Sequence, residues 1–352
     1  MKCSKLTKLT DNCCILKKMK ILLTLLSYVY GFFAVLRRIL YENGILKKKR
    51  LPLPVISIGN LSVGGTGKTP LTIFISKELQ KRGFKPCVLS RGYKRKSKET
   101  VIVSDGKNIK VSWKESGDEP FIIAKRRIPV VVGRERYEAG MKALKELDVD
   151  IFILDDGYQH YQLYRDINIL VTDAVKPFWE DKLLPVGRLR EPASFYRYAD
   201  FIVVTKLSAV SKERIREIKT KLNLLKKPFF FAKDKISGLI DTKGNQANFE
   251  ILENKKVVVF SGLGNNKQFF ETVKNLSKEH KFEIIEFIEF PDHYDYKELE
   301  LPPADLYLTT EKDIIKINKE NVFALLYDVE VEKEFIEEIL NKIKKEENPP
   351  FN

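Results

Sequence analysis

Gly59-Asn60-Leu61-Ser62-Val63-Gly64-Gly65-Thr66-Gly67-Lys68-Thr69-Pro70 is a run whose residue types suit one chemistry, the holding of phosphate. Glycines let backbone N–H groups turn inward and form a nest for phosphate oxygens. A helix that starts where the run ends adds partial positive charge at the same point. In that reading Gly64, Gly65, Thr66 and Gly67 supply the nest. Lys68 reaches the β- and γ-phosphates of a nucleotide, and the Thr69 hydroxyl holds Mg²⁺. The strict pattern has glycine five residues before Gly67, where this chain has Ser62; Gly64 and Gly65 supply flexibility instead. A glycine-rich turn with no nucleotide is the plainer alternative.

Acid groups gather at further points. Asp155-Asp156 ends the apolar run Ile151–Leu154, and Gly157-Tyr158-Gln159-His160 continues outward as a loop. Carboxylates at the tip of a buried strand beside a phosphate loop suit Mg²⁺, directly or through water. Alone, the pair reads as an acidic turn. Gly117-Asp118-Glu119-Pro120 sets two acids on a turn before a helix. Asp118 there is either a helix N-cap or a general base. Pro291-Asp292-His293-Tyr294 puts His293 beside Asp292, as half of an acid/base pair or as a surface histidine. His280 follows a helix and reads as surface. Ser90–Lys96 and Leu184–Pro192 are basic loops. Each either holds a phosphate on an acceptor or is solvated surface.

These residues need elements to position them. Val55–Ile58 is a short apolar run that reads as a buried strand before the glycine loop, and about 70–82 as a helix after it, closed by Gly83. Strands are predicted at Cys87–Ser90, Val101–Val103, Pro129–Val132, Ile151–Leu154, Ile167–Thr172 and Phe201–Thr205. Lys107–Val111 is predicted as a hairpin return after the turn Asp105-Gly106. Helices are predicted at Glu119–Lys125 and Glu135–Leu147. Apolar strands alternating with helices indicate a mostly parallel sheet covered on both faces, a P-loop NTPase-like α/β fold. From about Lys227 the pattern changes, with Pro228–Gly238 as an extended crossing segment. A second alternation follows: strands at Val257–Phe260, Phe282–Phe287 and Leu306–Thr309, helices at Lys267–Leu276 and about 332–345. The expected division is an N-terminal segment 1–50, a P-loop domain 51–228 and a smaller α/β domain 229–352.

Composition narrows the partners. At 352 residues there is room for two domains. The formal net charge of +15 favours polyanions, whether nucleic acid, anionic lipid or phosphorylated small molecules. No helix-turn-helix or aromatic-rich RNA motif accompanies the charge, so nucleic acid is not an expected partner. Three histidines are too few for a histidine metal cluster, and four cysteines without a CxxC pattern fit a reducing compartment. Ile21–Leu36 reads ILLTLLSYVYGFFAVL, with lysines before it and arginines after it. A run of that length rises about 24 Å as a helix, short of the roughly 30 Å hydrocarbon core. A helix over about 19–41 is therefore expected to lie in the membrane or dip into it, with cations on anionic headgroups. The alternative is a buried core helix.

Taken in order, GNLSVGGTGKTP, SRGYKRKS, GDEP, PVVVGRER, DDGYQH with YRD, LPVGRLREP, ADFIVVTK, SGLGNNKQF, FPDHYDY and TTEKD resemble the tetraacyldisaccharide 4'-kinase family, the lipid A 4'-kinases. The matching elements span residues 55 to about 313. Ser62 stands where the family itself departs from the strict glycine pattern, and Tyr158 replaces the phenylalanine or leucine of many relatives. The resemblance implies transfer of the γ-phosphate of ATP, with Mg²⁺, to the 4'-hydroxyl of a tetraacylated glucosamine disaccharide 1-phosphate. It implies a lipid-linked substrate, an anionic membrane surface and a place at the cytoplasmic face of the inner membrane; a monomer is expected. Asp118 matches the family's catalytic aspartate and His293 the histidine that partners it across the domain cleft, with Lys68 as the third catalytic residue. Arg136, Gln159, His160, Arg190 and Glu191 match substrate or metal positions. Thr69, Asp155 and Asp156 keep the Mg²⁺ role that the loop and the strand tip suggest. The competing reading is a membrane-associated P-loop ATPase that switches a protein partner.

Overall fold

Runs of β-branched and other apolar residues form the strands. VISIG (β1), IFILD (β5) and FIVVT (β7) are buried at every position. That is the mark of strands covered on both faces. The computed structural model describes residues 3–93, 95–263, 266–292 and 294–347. Along the chain run α1 (Cys3–Glu42), β1 (Val55–Gly59), α2 (Lys68–Lys81), β2 (Pro86–Ser90) and β3 (Val101–Asp105). Then come α3 (Trp113–Ser116), α4 (Asp118–Lys125), β4 (Pro129–Val132), α5 (Arg136–Glu146) and β5 (Ile151–Asp155). Next are β6 (Ile167–Asp173), β7 (Phe201–Thr205), α6 (Lys212–Leu225) and β8 (Phe229–Phe231). After them stand β9 (Lys233–Asp241), β10 (Gln246–Ala247), β11 (Lys256–Ser261), α7 (Lys267–Glu279) and β12 (Glu283–Glu289). The chain ends with β13 (Leu306–Thr310), α8 (Glu311–Ile314), β14 (Val322–Glu330) and α9 (Lys333–Glu347).

Two compact units result. The first comprises Met1–Lys68, Ile153–Lys233 and Val331–Asn352. In it β1, β6, β7 and β8 pair in parallel, with β5 on the other side of β1. The chain passes from β5 across β1 to β6, so its connections reverse beside β1. In open α/β sheets, ligands bind outside the carboxyl ends of the strands at such a point. Tyr158, Leu170, Phe195, Ile202 and Leu222 form the core beneath it. Phe335 of α9 closes against the rings of Phe201 and Phe230.

The second unit comprises Thr69–Phe152 and Asp234–Glu330. There β2 and β4 are parallel and β3 is antiparallel to β4. The later residues build a sheet of their own, six-stranded among the described residues, in the order β10-β9-β14-β13-β11-β12. Val259, Phe270, Val273, Leu308 and Leu325 fill its core.

Several expectations need correction. Lys107–Val111 is not a strand: after the turn only an isolated bridge joins Ser104 to Ile109, and β3 finds its ladder on β4. The extended segment 228–238 is two strands, β8 and the start of β9. α6 and β14 had no counterpart in the sequence reading. Yet Ile215, Ile218, Leu222 and Leu225 follow a helical period behind Ser211, whose side chain caps Arg214 N–H. His280 is half-buried and stacked on Phe249, with centroids 4.5 Å apart.

α1 is longer than the apolar run alone suggested. Among the described residues, Met19–Glu42 is a 24-residue stretch long and apolar enough to cross a membrane. Such a helix rises about 36 Å. Its small and polar residues recur on one side, where Ser27, Gly31, Arg38 and Tyr41 are buried. Ser27 Oγ donates to Leu183 O at 3.1 Å, and Tyr30 Oη to Arg190 O at 2.9 Å. A Cβ on Gly31 would stand 2.7 Å from Leu183 Cδ1, so a larger residue there would have to displace that leucine tip. The Arg38 guanidinium lies 3.3 Å from the centroid of Tyr198 and donates to Tyr161 Oη, a cation held by aromatic faces. Leu22, Leu25, Phe32 and Phe33 point the other way and are more than half exposed.

Candidate functional site

The glycine loop leaves β1 in an extended conformation before it turns. Val63 N–H donates to Arg188 O and Arg190 N–H to Leu61 O, each at 2.7 Å, with a bridge between Ser62 and Leu189. Ser62 is therefore an extended, bridged residue, and glycine is not needed there. The turn comes later, at Gly64 (φ +103°) and Gly67 (φ +77°). Gly67 also faces Thr205, whose side chain would lie 3.2 Å from an added Cβ. Thr205 Oγ1 donates to Thr66 O at 2.8 Å and ties the loop to the end of β7. α2 then begins at Lys68, so the loop opens onto a helix N-terminus.

Charged groups of the first unit converge on this loop. Lys68 Nζ donates to Asn60 Oδ1 at 3.2 Å and stands 3.5 Å from Asp156 Oδ1. Arg190 grips the same carboxylate with two bonds of 3.0 and 3.1 Å. It also donates to Asn60 Oδ1 and to Asn60 O. Asn60 is fully buried and is the hub, because Gln159 Nε2 donates to its carbonyl at 2.9 Å as well. Burial would push the Asp156 carboxyl up, but Lys68 and Arg190 overcome that and hold it well below the usual carboxylate range. Its backbone is left-handed, at φ +49°, a strain a non-glycine residue keeps only where its surroundings impose it. Asp155 is buried at the tip of β5.

Behind this lies a second layer. Glu191 is buried, accepting from Gln159 Nε2 at 2.9 Å and from Tyr161 Oη. Burial raises the Glu191 carboxyl, against the opposing pull of those two donors. Burial, then the Glu191 charge, raises the Tyr161 phenol. Arg165 Nη1 donates to the carbonyls of Gly157 and Tyr158, fixing the loop after Asp156. His160 sits in that loop, half-buried, its N–H bonded to Gly157 O at 2.9 Å.

In the second unit, Asp118 is the first residue of α4. The N-cap is Gly117, at φ +90° and with no side-chain cap, so the N-cap reading of Asp118 is corrected. Lys316 Nζ, its side chain 3% exposed, stands 3.5 Å from Asp118 Oδ2. At the other end of α4, Arg126 donates to Glu311 at 3.1 Å and to Asp328 at 3.2 Å. The segment Glu311–Lys316 thus clasps both ends of the helix that carries Asp118. Arg136 is buried at the start of α5 and donates to Arg134 O at 2.9 Å. His293 lies outside the described residues.

Comparison with known proteins gives this arrangement a context. The family model described as tetraacyldisaccharide-1-P 4'-kinase, LpxK, matches residues 19–344. The chain belongs to the LpxK family. It is 44% identical over 311 residues to the tetraacyldisaccharide 4'-kinase of Aquifex aeolicus, covering 88% of this chain and 93% of that one. It is 38% identical over 311 residues to that of Pelobacter propionicus, covering 84% and 82%. A crystal structure of LpxK from Aquifex aeolicus, an "apo" form in complex with ATP, aligns with a TM-score of 0.81. Identity there is 41%, over 92% of this chain and 99% of that one.

As a member of the LpxK family, the chain brings Lys68, Asp156, Gln159, Arg190 and Glu191 together in its first unit. Sequence reasoning passed over Asn60, Tyr161, Thr205 and Lys316. Asn60 was visible within the glycine run, but its hub role depends on groups 99 and 130 residues away. Nothing local marks Lys316, which reaches Asp118 from near the chain's other end.

Proposed function

We propose that this chain transfers the γ-phosphate of ATP to the 4'-hydroxyl of a tetraacylated glucosamine disaccharide 1-phosphate, a step of lipid A biosynthesis. The observation that carries the reading is the phosphate loop of an LpxK-family chain with Lys68, Asp156 and Arg190 gathered on Asn60. Phosphoryl transfer needs positioning and neutralisation of charge more than covalent chemistry. The N–H groups of Gly64–Thr69 cradle the nucleotide phosphates, and Lys68 exchanges Asp156 for their oxygens. Asp118 orients the acceptor hydroxyl and takes its proton, with His293 as its partner. Arg136, Gln159, His160, Arg190 and Glu191 serve substrate or metal.

The donors suit Mg²⁺. The Thr69 hydroxyl and the carboxylates of Asp155 and Asp156 are hard oxygen ligands. Mg²⁺ takes one or two carboxylates together with substrate phosphates rather than an all-protein cage. When bound, the ion neutralises phosphate oxygens. Asp155 would be the direct carboxylate ligand in this reading, because Arg190 keeps hold of Asp156 when Lys68 turns to the phosphates.

The enzyme works as a monomer on the cytoplasmic face of the inner membrane, held there by α1. Its organisation is a membrane segment 1–50, a kinase domain 51–228 and a smaller domain 229–352. The test uses the full chain, γ-labelled ATP and the tetraacyl disaccharide 1-phosphate. Label in the lipid is the expected outcome; label in free phosphate alone overturns the reading in favour of an ATPase. Asp118→Ala should leave ATP binding intact and lower turnover by roughly two to four orders of magnitude. Undiminished turnover refutes the role of Asp118.

A further inference from the structure

A cavity of about 330 Å³ opens in the second unit at the N-terminal end of α4. Lys96, Lys114, Lys297, Lys312 and Lys316 line it, with the indole of Trp113 among them. Asp118, Glu119 and Asp295 are the acids on its wall. Among the described residues that line it, five ammonium groups against three carboxylates leave two positive charges in excess. The excess is local: Lys114 and Lys297 share one acid, Asp295, at 3.9 and 3.2 Å. Lys316 is committed to Asp118. Among the described residues, the ammonium groups of Lys96 and Lys312 have no ion-pair partner. A concave site with unpaired cations is a site for an anion. Lysine is a point-charge binder of phosphate.

We propose that this cavity receives the phosphate the acceptor already carries, the 1-phosphate, with Lys96 and Lys312 as its principal ligands. The inference rests on the kinase reading and adds to it a subsite for the non-reacting end of the substrate. Asp118 lies on the cavity wall, so a sugar hydroxyl directed at its carboxylate places the rest of the sugar within the cavity. Trp113 and Tyr93 also line it, and aromatic rings are apolar surfaces of the kind a sugar ring packs upon. The nucleotide's phosphates have their own nest at Gly64–Thr69 and do not need these lysines. The other basic loop is a poorer candidate, because its charges are spent internally. Arg188 is bonded to Asp181 at 2.7 Å and Arg190 to Asp156. Binding a remote phosphate holds the reacting hydroxyl in place, which is how non-reacting groups contribute to turnover.

Two measurements test this. The chain has two tryptophans, Trp113 and Trp179. In a Trp179→Phe background, the emission of Trp113 reports on the cavity directly. Titration with glucosamine 1-phosphate should shift that emission, and glucosamine should not. The double variant Lys96→Ala/Lys312→Ala should need about tenfold more of the phosphosugar or show no response. Equal responses to both sugars, no response in the parent, or an unaltered response in the double variant overturns the proposal. The second measurement is kinetic. The same double variant should raise KM for the phosphorylated acceptor about tenfold or more, with KM for ATP unmoved. The penalty should be confined to the phosphorylated acceptor and vanish with a disaccharide lacking the 1-phosphate. A matching rise in KM for ATP would assign the lysines to the nucleotide instead. Failure of the parent protein to phosphorylate any acceptor would refute the kinase reading, and the fluorescence titration would still decide the phosphate site.

Discussion

Asp156 occupies a left-handed backbone position between two cations, and its titration follows from them. Lys68 and Arg190 hold its carboxyl below the ordinary range, after offsetting the effect of burial. A carboxylate with a depressed folded-state pKa contributes stability that is fully present above its unfolded value of about 3.9. That contribution is lost only as pH falls through the lower folded value. Asp156→Asn should therefore melt below the native protein by a constant interval from pH 7 to about pH 5. The interval should narrow only below about pH 4. Thermal unfolding at stepped pH measures it, and an interval that already closes between pH 7 and pH 5 contradicts the pairing.

Among the elements, the glycine loop separates two demands that a sequence pattern merges. Gly67 needs glycine for structure, because its φ is +77° and Thr205 stands 3.2 Å from any Cβ. Gly65 has no positive φ and open space around it. Gly67→Ala should cost about 1–3 kcal/mol of stability, the usual penalty for a non-glycine residue in that region. Gly65→Ala should stay within about 0.5 kcal/mol of the native protein and reveal itself only in nucleotide affinity. Equal melting temperatures for the two variants would contradict the assignment of the turn to Gly67. Ser62 teaches the same lesson in reverse. It sits where a strict motif wants glycine, and its extended pairing with Leu189 removes the need.

For the molecule as a whole, α1 divides its labour by face. Ser27, Gly31 and Arg38 pack inward, while Leu25, Phe32 and Phe33 face outward and are more than half exposed. Burying each outward side chain in lipid is worth about 2 kcal/mol. Replacing the three by serine should lower binding to anionic vesicles by orders of magnitude and leave the inward packing intact. Vesicle co-sedimentation measures the first, and an unchanged melting temperature the second. Undiminished sedimentation would move membrane attachment from α1 to the basic surface that the +15 charge provides.

The glycine loop, the buried strands and the long apolar helix were legible in the residues because each is a local pattern. A glycine run needs no distant partner to be recognised, nor does an apolar run such as IFILD. Ordered motifs from Val55 to Asp313 carried the family for the same reason. What tertiary structure decided was which of these residues meet. Asn60 became a hub through Gln159 and Arg190, and Asp118 acquired Lys316 from almost 200 residues away. β3 took β4 rather than its own hairpin as partner, because a ladder on a neighbouring strand satisfies more backbone groups than one bridge. Lysines from four separate segments share one cavity. Charge can be counted along a chain, but an electric field depends on distance in space, and folding alone sets those distances.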